Sequence, residues 1–352
     1  AMEIVYCEDE LRTYVETAVK VSKNHPILID KYLNEAIEVD VDLVADGKDV
    51  FIGGMMEHVE YAGVHSGDAT MVLPPFTLSG EIIDRMKKIS RDVALALKIK
   101  GLMNLQLAIK DGEVWMIEAN PRSSRTVPFI SKATGIPLAK VGTRVMLGES
   151  LKKQGYGSGY KEIDHFAVKA SVFPFLKLVG VDSILTPEMK STGEVMGIDK
   201  DFHTAYYKAM IAAGNKLPMS GGVYITVNDQ DKPEILESAR TLTDLGFTVY
   251  ATKGTSTFLR KNGVNTTTVF RVSENQKPNA LGLMREGKIN MVINTPSMKS
   301  GARRDGYMMR RVAVELEIPF LTTANGANAA VGAIKVARGR EMTVHSLKEF
   351  SE

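Results

Sequence analysis

The sequence predicts two units of different class. Residues 1–214 read as an α+β unit on an antiparallel sheet with a helical connector, and 215–352 as an α/β unit with a doubly wound, five-stranded parallel sheet. Three observations lead there. Short alternating strands dominate as far as Glu118, strand and helix alternate regularly after Gly222, and a glycine-bounded break from Gly214 to Gly222 separates the two patterns. A chain of 352 residues also exceeds the about 100–200 residues that one core usually serves.

In the first unit, alternation predicts strands over 27–30, 36–44, 50–55, 69–73, 103–109 and 114–118. Ile82, Ile83, Met86, Ile89, Val93 and Leu97 recur at helical spacing, so a helix is expected over 79–97 with Ser79 as its cap. Another is expected near 138–147, and the glycine-rich stretch from Gly155 to Gly159 reads as an exposed loop. In the second unit the expected strands are 223–227, 248–250, 268–272, 290–293 and 320–322. The helices between and after them are 233–245, 255–262, 279–285, 307–316 and one beginning after Asn325. No repeat or low-complexity tract interrupts either pattern.

Composition excludes several classes of function. Hydrophobic residues at 44% and charged residues at 24% suit a globular protein in water, and no apolar run approaches the ~20 residues of a membrane helix. No membrane partner is expected. Ala1-Met2-Glu3-Ile4-Val5 has no basic region leading into an apolar segment, so neither signal nor transit peptide is expected. The single cysteine, Cys7, cannot form an internal disulfide, which fits a cytoplasmic location. A formal charge of +2 from 44 basic and 42 acidic residues gives no field for a polyanion, so nucleic acid is not an expected partner. Arg303-Arg304 and Arg310-Arg311 on one predicted helix read as a solvated face.

Chemistry concentrates on one hairpin. Along 103–109 the odd positions are apolar, so Asn104 and Gln106 project from the other face. On the next strand Trp115 and Ile117 are expected on the apolar face and Glu118 opposite it. A three-residue connection, Lys110-Asp111-Gly112, would pair Ile109 with Glu113 and set Gln106 diagonal to Glu118. Gln106, Glu118 and Asn120 then offer the hard oxygens that magnesium takes. Arg122 and Arg125 follow at once, with guanidinium forks suited to phosphate or carboxylate.

Glu118-Ala119-Asn120-Pro121-Arg122, with Gln106 on the preceding strand, resembles the ATP-grasp superfamily. A closer likeness lies in Glu57-His58-Val59-Glu60, Ala62-Gly63-Val64-His65-Ser66-Gly67-Asp68, Asn120 to Phe129, Ser131 to Gly135 and Ser191 to Gly197. In that order these segments are similar to the C-terminal half of the carbamoyl-phosphate synthetase large subunit, and the resemblance runs through essentially the whole chain. It implies an ATP-grasp C-terminal lobe, an ATP-dependent, glutamine-hydrolysing ligase as part of the full subunit, and phosphorylation of carbamate. ATP and Mg2+ or Mn2+ are the implied cofactors. Lys31 and Leu33 would lie along the adenine strap, Glu38 would hold ribose hydroxyls, and Gly63, Val64, His65 and Ser66 would line the nucleotide. Gln106, Glu118 and Asn120 would bind metal, while Arg122 and Arg125, together with Asn120, would serve the reacting groups. Taken alone, His65 reads rather as a hydrogen-bonded structural histidine.

Thr252-Lys253-Gly254-Thr255-Ser256 falls between a strand and a helix in the second unit, where a parallel sheet forms its ligand crevice. Lys232, Arg271 and Asn294 end neighbouring elements and can converge on it. The unit looks like the family's methylglyoxal-synthase-like regulatory domain, which implies a nucleotide effector such as uridine monophosphate held by Lys232, Thr252, Thr255, Arg271 and Asn294. Two residues depart from the pattern. Pro296 stands in place of a threonine, and Ala170 in place of a carboxylate of the ornithine site to which Glu60, Asp68 and Thr322 correspond. Ornithine activation is therefore not expected.

The resemblance begins inside the ATP-grasp domain, just after the family's Gly-Gly-Arg run. It implies that the nucleotide-covering lobe and the first synthetase half are absent, and that the chain alone has feeble nucleotide affinity and no turnover. The implied partners are that N-terminal part and the glutaminase small subunit, with a homo-oligomer as a further expectation. Two other readings stand beside this one. One is a stand-alone regulatory nucleotide-binding module without catalysis. The other is a lyase in the last domain, against which Asn294-Thr295-Pro296-Ser297 lacks the expected aspartate-proline pair.

Overall fold

The structure is a computed structural model that describes residues 4–5, 7–21, 27–178, 180–296 and 300–350, with backbone alone at 17–21 and 300–303. Ala1, Met2, Glu3 and Ser297 and the side chain of Arg303 lie outside the described residues. The chain runs through α1 (Glu8–Val21), β1 (Ile37–Asp46), β2 (Val50–Tyr61), β3 (Met71–Leu73), α2 (Gly80–Ala96), β4 (Lys100–Lys110) and β5 (Glu113–Asn120). Then come α3 (Thr126–Thr134), α4 (Leu138–Met146), β6 (Gly159–Tyr160), β7 (Phe166–Val172), β8 (Gly193–Asp199) and α5 (Phe202–Ala212). These strands form one eight-stranded sheet in the order β5-β4-β1-β2-β3-β7-β8, with β6 pairing β2.

Both faces of this sheet are covered. Val39, Val41 and Leu43 of β1 pack with Met103, Leu105 and Leu107 of β4 under Ile82, Ile83 and Val93 of α2. Ser79 caps α2 as expected, its hydroxyl accepting from the Ile82 N–H at 3.4 Å. On the other face α3 and α4 press Ile130 and Leu138 onto β2, where Gly53 and Gly54 leave room. A Cβ at Gly53 would stand 2.4 Å from Leu138 Cδ1.

The second sheet is built from β9 (Gly222–Thr226), β10 (Thr248–Thr252), β11 (Thr267–Val269), β12 (Met291–Asn294) and β13 (Phe320–Leu321). All its pairings are parallel, in the order β11-β10-β9-β12-β13. Its helices are α6 (Lys232–Asp244), α7 (Lys253–Lys261), α8 (Ala280–Arg285), α9 (Ser300–Glu315) and α10 (Ala324–Gly339). Alternate strand residues enter separate cores: Val223, Ile225, Met291 and Ile293 face α6 and α10, while Tyr224 and Val292 face α8 and α9. That is the doubly wound arrangement predicted. The first core also takes in Val168, Ala205 and Ala209, so α5 and α10 join the two sheets. Among the described residues no helix is long and apolar enough to cross a membrane.

The structure corrects several sequence expectations. Residues 27–30 are not a strand, and Leu28 and Ile29 are exposed. Helices α1, α3 and α5 and strands β6 to β8 had no counterpart in the predicted pattern. The short β6 offers too few residues for a period, while β7 is buried nearly throughout and so shows no alternation.

Candidate functional site

The hairpin β4–β5 turns through two residues, not three. Asp111 and Gly112 both take left-handed backbone (φ 53° and 76°), and Lys110 pairs with Glu113. Val114 therefore joins the apolar face beside Ile109, and Trp115 and Ile117 do not: both are exposed on the edge strand. A bulge then absorbs Ile117, because Leu107 pairs with Met116 while Gln106 pairs with Glu118. Gln106 thus lies directly opposite Glu118 instead of diagonal to it, and Asn104 directly opposite Asn120. Asn120 Nδ2 donates to Glu118 Oε1 at 2.7 Å and to Asn104 Oδ1 at 3.5 Å, which turns the Asn120 side-chain oxygen away from both.

Beneath this pair lies a row of buried carboxylates on β1. Glu38, Asp40 and Asp42 share its second face and pair in register with Ala108, Gln106 and Asn104. Asp42 accepts from Asn104 Nδ2 (3.3 Å), Ser124 Oγ (2.6 Å) and Thr126 Oγ1, and so fixes the chain that carries Arg122 and Arg125. Burial raises the Asp42 pKa, and those three hydrogen bonds oppose the rise. Burial likewise raises Asp40 well above the carboxylate range, aided by Asp42 and Glu38. Glu38 is pushed up to about 7 by burial, against a hydrogen bond from the Gly63 backbone and with the repulsion of Glu118.

His58, lowered to about 3 by burial and by Lys169, stands 3.9 Å from a carboxylate oxygen of each of Glu38 and Asp40. Among the described residues Asp40 Oδ1 and both His58 ring nitrogens are buried without a hydrogen-bond partner, and the ligand atoms of Glu38, Asp40 and His58 lie within 4.8 Å of one another. Such a set can hold a cation.

The Glu38 shift carries a stability consequence. A carboxyl raised from 4.5 to about 7 gives its full stability below pH 4.5 and loses it as pH rises through about 7. Glu38→Gln is therefore expected to gain on the wild type in metal-free buffer between those limits. Urea midpoints across pH 4.5–7.5 that run parallel for the two proteins would contradict the shift.

Gly63, Val64, His65 and Ser66 form a turn beyond β2. Gly63 is left-handed (φ 106°), and a Cβ there would stand 2.9 Å from the Tyr32 hydroxyl. His65 Nδ1 accepts from the Gly67 N–H at 2.9 Å, while burial lowers its pKa, with Asp68 and Glu118 opposing and Arg125 assisting. His65, Glu118 and Arg125 are thereby brought together, and the hydrogen-bonded reading of His65 is also met. Leu33 packs on Ala36, Ala62 and Ala108 below the site, and Lys31 is exposed.

The effector candidates converge. Lys232, Thr252, Thr255, Arg271 and Asn294 line one cavity of about 1420 Å³, whose other end reaches Gly63 and Val64. Gln106, Glu118, Asn120, Arg122 and Arg125 lie outside it. Thr252 stands at the N-cap position of α7 with its hydroxyl 3.4 Å from that of Thr226, Thr255 lies buried in the first turn, and Lys232 Nζ reaches 3.7 Å from a Cβ position at Gly254 while bonding Asp229 at 2.5 Å. Asn294 is already engaged, its Nδ2 donating to Thr226 O (3.3 Å) and its Oδ1 accepting from Arg310 Nη1 (2.6 Å).

Arg310 and Arg311 overturn the expectation of a solvated face. Arg310 is buried and grips Asp182 through Nε (2.8 Å) and Nη2 (2.7 Å), while Arg311 donates to the carbonyls of Phe175 and Leu178. Both hold the connector after β7, whose distance in sequence hid the pairing. Asp68 takes the N–H groups of Lys190 and Ser191 at 2.8 and 2.9 Å, and Glu60 that of Thr70 at 2.7 Å. Asp42, Asp182 and Lys169 were not singled out in the sequence, and Asn104 was placed on the polar face of its strand without a role. The alternation Glu38-Val39-Asp40-Val41-Asp42 was the available signal for the first of them.

Two family profiles match the chain: "Carbamoyl-phosphate synthase L chain, ATP binding domain" over residues 1–154 and "MGS-like domain" over 234–322. The "Carbamoyl phosphate synthase large chain, C-terminal section" of Methanocaldococcus jannaschii is 52% identical, aligned over 99% of this chain and 58% of that protein. The corresponding section from Aquifex aeolicus is 48% identical over 99% of this chain and 68% of its own length. A "Carbamoyl phosphate synthase large chain" of Methanosarcina barkeri is 49% identical over 99% and 87%. The chain spans only 32% of the Archaeoglobus fulgidus large chain, at 52% identity. With its antiparallel sheet followed by a parallel five-stranded one, the chain belongs to the carbamoyl phosphate synthase large-chain family.

Proposed function

We propose that the chain is the carbamate-phosphorylating end of an ATP-dependent, glutamine-hydrolysing ligase, working with the rest of the large chain and a glutaminase small subunit in the cytoplasm. The observation that carries this reading is the bulge at Ile117, which sets Gln106 opposite Glu118 with Asn120 beside them. The oxygens of Gln106 and Glu118, over the β1 carboxylates, suit Mg2+ or Mn2+, and Asn120 would add its own once its amide turns over; the metal when bound would neutralise charge on the ATP phosphates. A carbamate oxygen attacks the γ-phosphorus, its new P–O bond forming as the bond to ADP breaks and ADP leaves with the electron pair. Arg122 and Arg125 steady carbamate and the moving phosphoryl group, and Asn120 is oriented through Asn104 and Asp42. Lys31 and Leu33 flank adenine, Glu38 takes the ribose hydroxyls, and Gly63 to Ser66 line the nucleotide.

Residues 1–214 serve this chemistry, and 215–352 bind a phosphorylated nucleotide such as uridine monophosphate at Lys232, Thr252, Thr255, Arg271 and Asn294. The convergence of those five on one cavity also favours a second reading, a regulatory nucleotide-binding module without catalysis. Thermal unfolding with magnesium-ATP and with uridine monophosphate, each alone, separates the two. Stabilisation by both supports the first reading, and stabilisation by the pyrimidine nucleotide alone supports the second. The isolated chain is expected to make no carbamoyl phosphate, so steady turnover would overturn that expectation. Sedimentation would report any homo-oligomer.

A further inference from the structure

We propose that Lys169 is a positioning residue for the nucleotide turn, its buried ammonium holding the backbone carbonyls of Ser66 and Gly67 in the one arrangement that presents Gly63 to Ser66. The inference rests on the nucleotide reading of that turn. Lys169 stands in the middle of β7, and its cross-strand partners are Met71 on β3 and Met196 on β8, a setting in which an unbranched apolar side chain would fit. A lysine there is fully buried, which is costly unless its charge and its three donors are met.

All three donors are used, and two of them reach the turn. Nζ donates to Ser66 O at 3.3 Å, Gly67 O at 3.4 Å and Ser171 Oγ at 3.4 Å. The Gly67 carbonyl also accepts from Ser171 Oγ (2.8 Å) and Ser191 Oγ (3.1 Å), so three side chains from two segments converge on one peptide oxygen. The carboxylates of Asp40 on β1, Glu60 on β2, Asp68 in the turn and Glu194 on β8 interact with the ammonium. Burial lowers the Lys169 pKa, and these four oppose the fall. The N–H groups of the turn are met elsewhere: that of His65 reaches Thr186 O, those of Gly67, Asp68 and Ala69 return to His65, and the Asp68 carboxylate takes the N–H groups of Lys190 and Ser191. The Ser66 and Gly67 carbonyls are what Lys169 and its neighbours grip from below.

Amide hydrogen exchange on the whole chain tests this. Lys169→Met keeps the stem and removes the donors, and is expected to speed exchange at His65, Gly67 and Asp68 by about tenfold or more while β1 and β2 stay unchanged. The same variant is expected to lose the thermal shift given by magnesium-ATP, and Lys169→Arg to recover much of both. Exchange that rises uniformly along the chain, or a magnesium-ATP shift equal to that of the wild type, would leave Lys169 a packing residue and overturn the proposal. If Lys169→Met does not fold, Ser171→Ala leaves the charges in place. It is expected to speed Gly67 and Asp68 by about threefold, and no acceleration there overturns the proposal. A wild type without any magnesium-ATP shift defeats the nucleotide reading alone, since the exchange comparison still decides the role of Lys169.

Discussion

Glu118→Gln is expected to lower carbamate phosphorylation by the assembled large chain by about 100- to 1,000-fold, with the urea midpoint nearly unchanged. Glu118 is exposed on an edge strand, so its replacement opens no cavity. Glutamine retains an oxygen to accept the Asn120 amide, which keeps the hairpin geometry, and loses only the negative charge. A hard divalent cation is held mainly by that charge. The rate should recover in part at raised magnesium, whereas lost packing would not respond to the ion. A Glu118→Gln enzyme with unaltered kcat/KM and magnesium dependence would remove Gln106, Glu118 and Asn120 from the proposed centre.

Much of this was legible locally and some of it was not. Period-two and period-3.6 patterns gave β1 to β5, the second sheet and α2, because one buried face imposes its period on the residues that form it. Chemistry at Gln106 and Glu118 was visible for the same reason, yet the register was misjudged by one residue at the turn and again at Ile117. Two small irregularities, a two-residue turn and a bulge, combine to leave Gln106 opposite Glu118; Asp111-Gly112 is a strong mark of the turn that the three-residue reading passed over, whereas the bulge has none. Residues 27–30 looked like a strand because they are apolar, but Leu28 and Ile29 are exposed, and apolar content alone does not make a ladder. The buried cations were the least legible. Lys169 and Arg310 look solvated until their partners, which come from distant segments, are known.

Arg310→Met is expected to cost about 2–4 kcal/mol, measured by urea unfolding. Its guanidinium is only 2% exposed and satisfies both Asp182 and Asn294, so methionine fills the space and strands two acceptors. The cost falls on the lower side of values for a buried pair because Asp182 keeps some contact with water. Burial raises the Asp182 pKa, but the bonds and charge of Arg310 outweigh it and leave the carboxyl below 3.8. A depressed carboxyl contributes stability above its unfolded pKa and loses it as pH falls through the folded value, so the gap between wild type and Arg310→Met should close below pH 3.8. Replacing Asp182 by asparagine as well should recover part of the loss, because no charge is then left without its partner. If the double variant is as unstable as the sum of the singles, the pair is not the source of the cost. Asn294 lines the cavity proposed for the effector while Arg310 holds its oxygen, so the same substitution should also reduce any thermal shift given by uridine monophosphate.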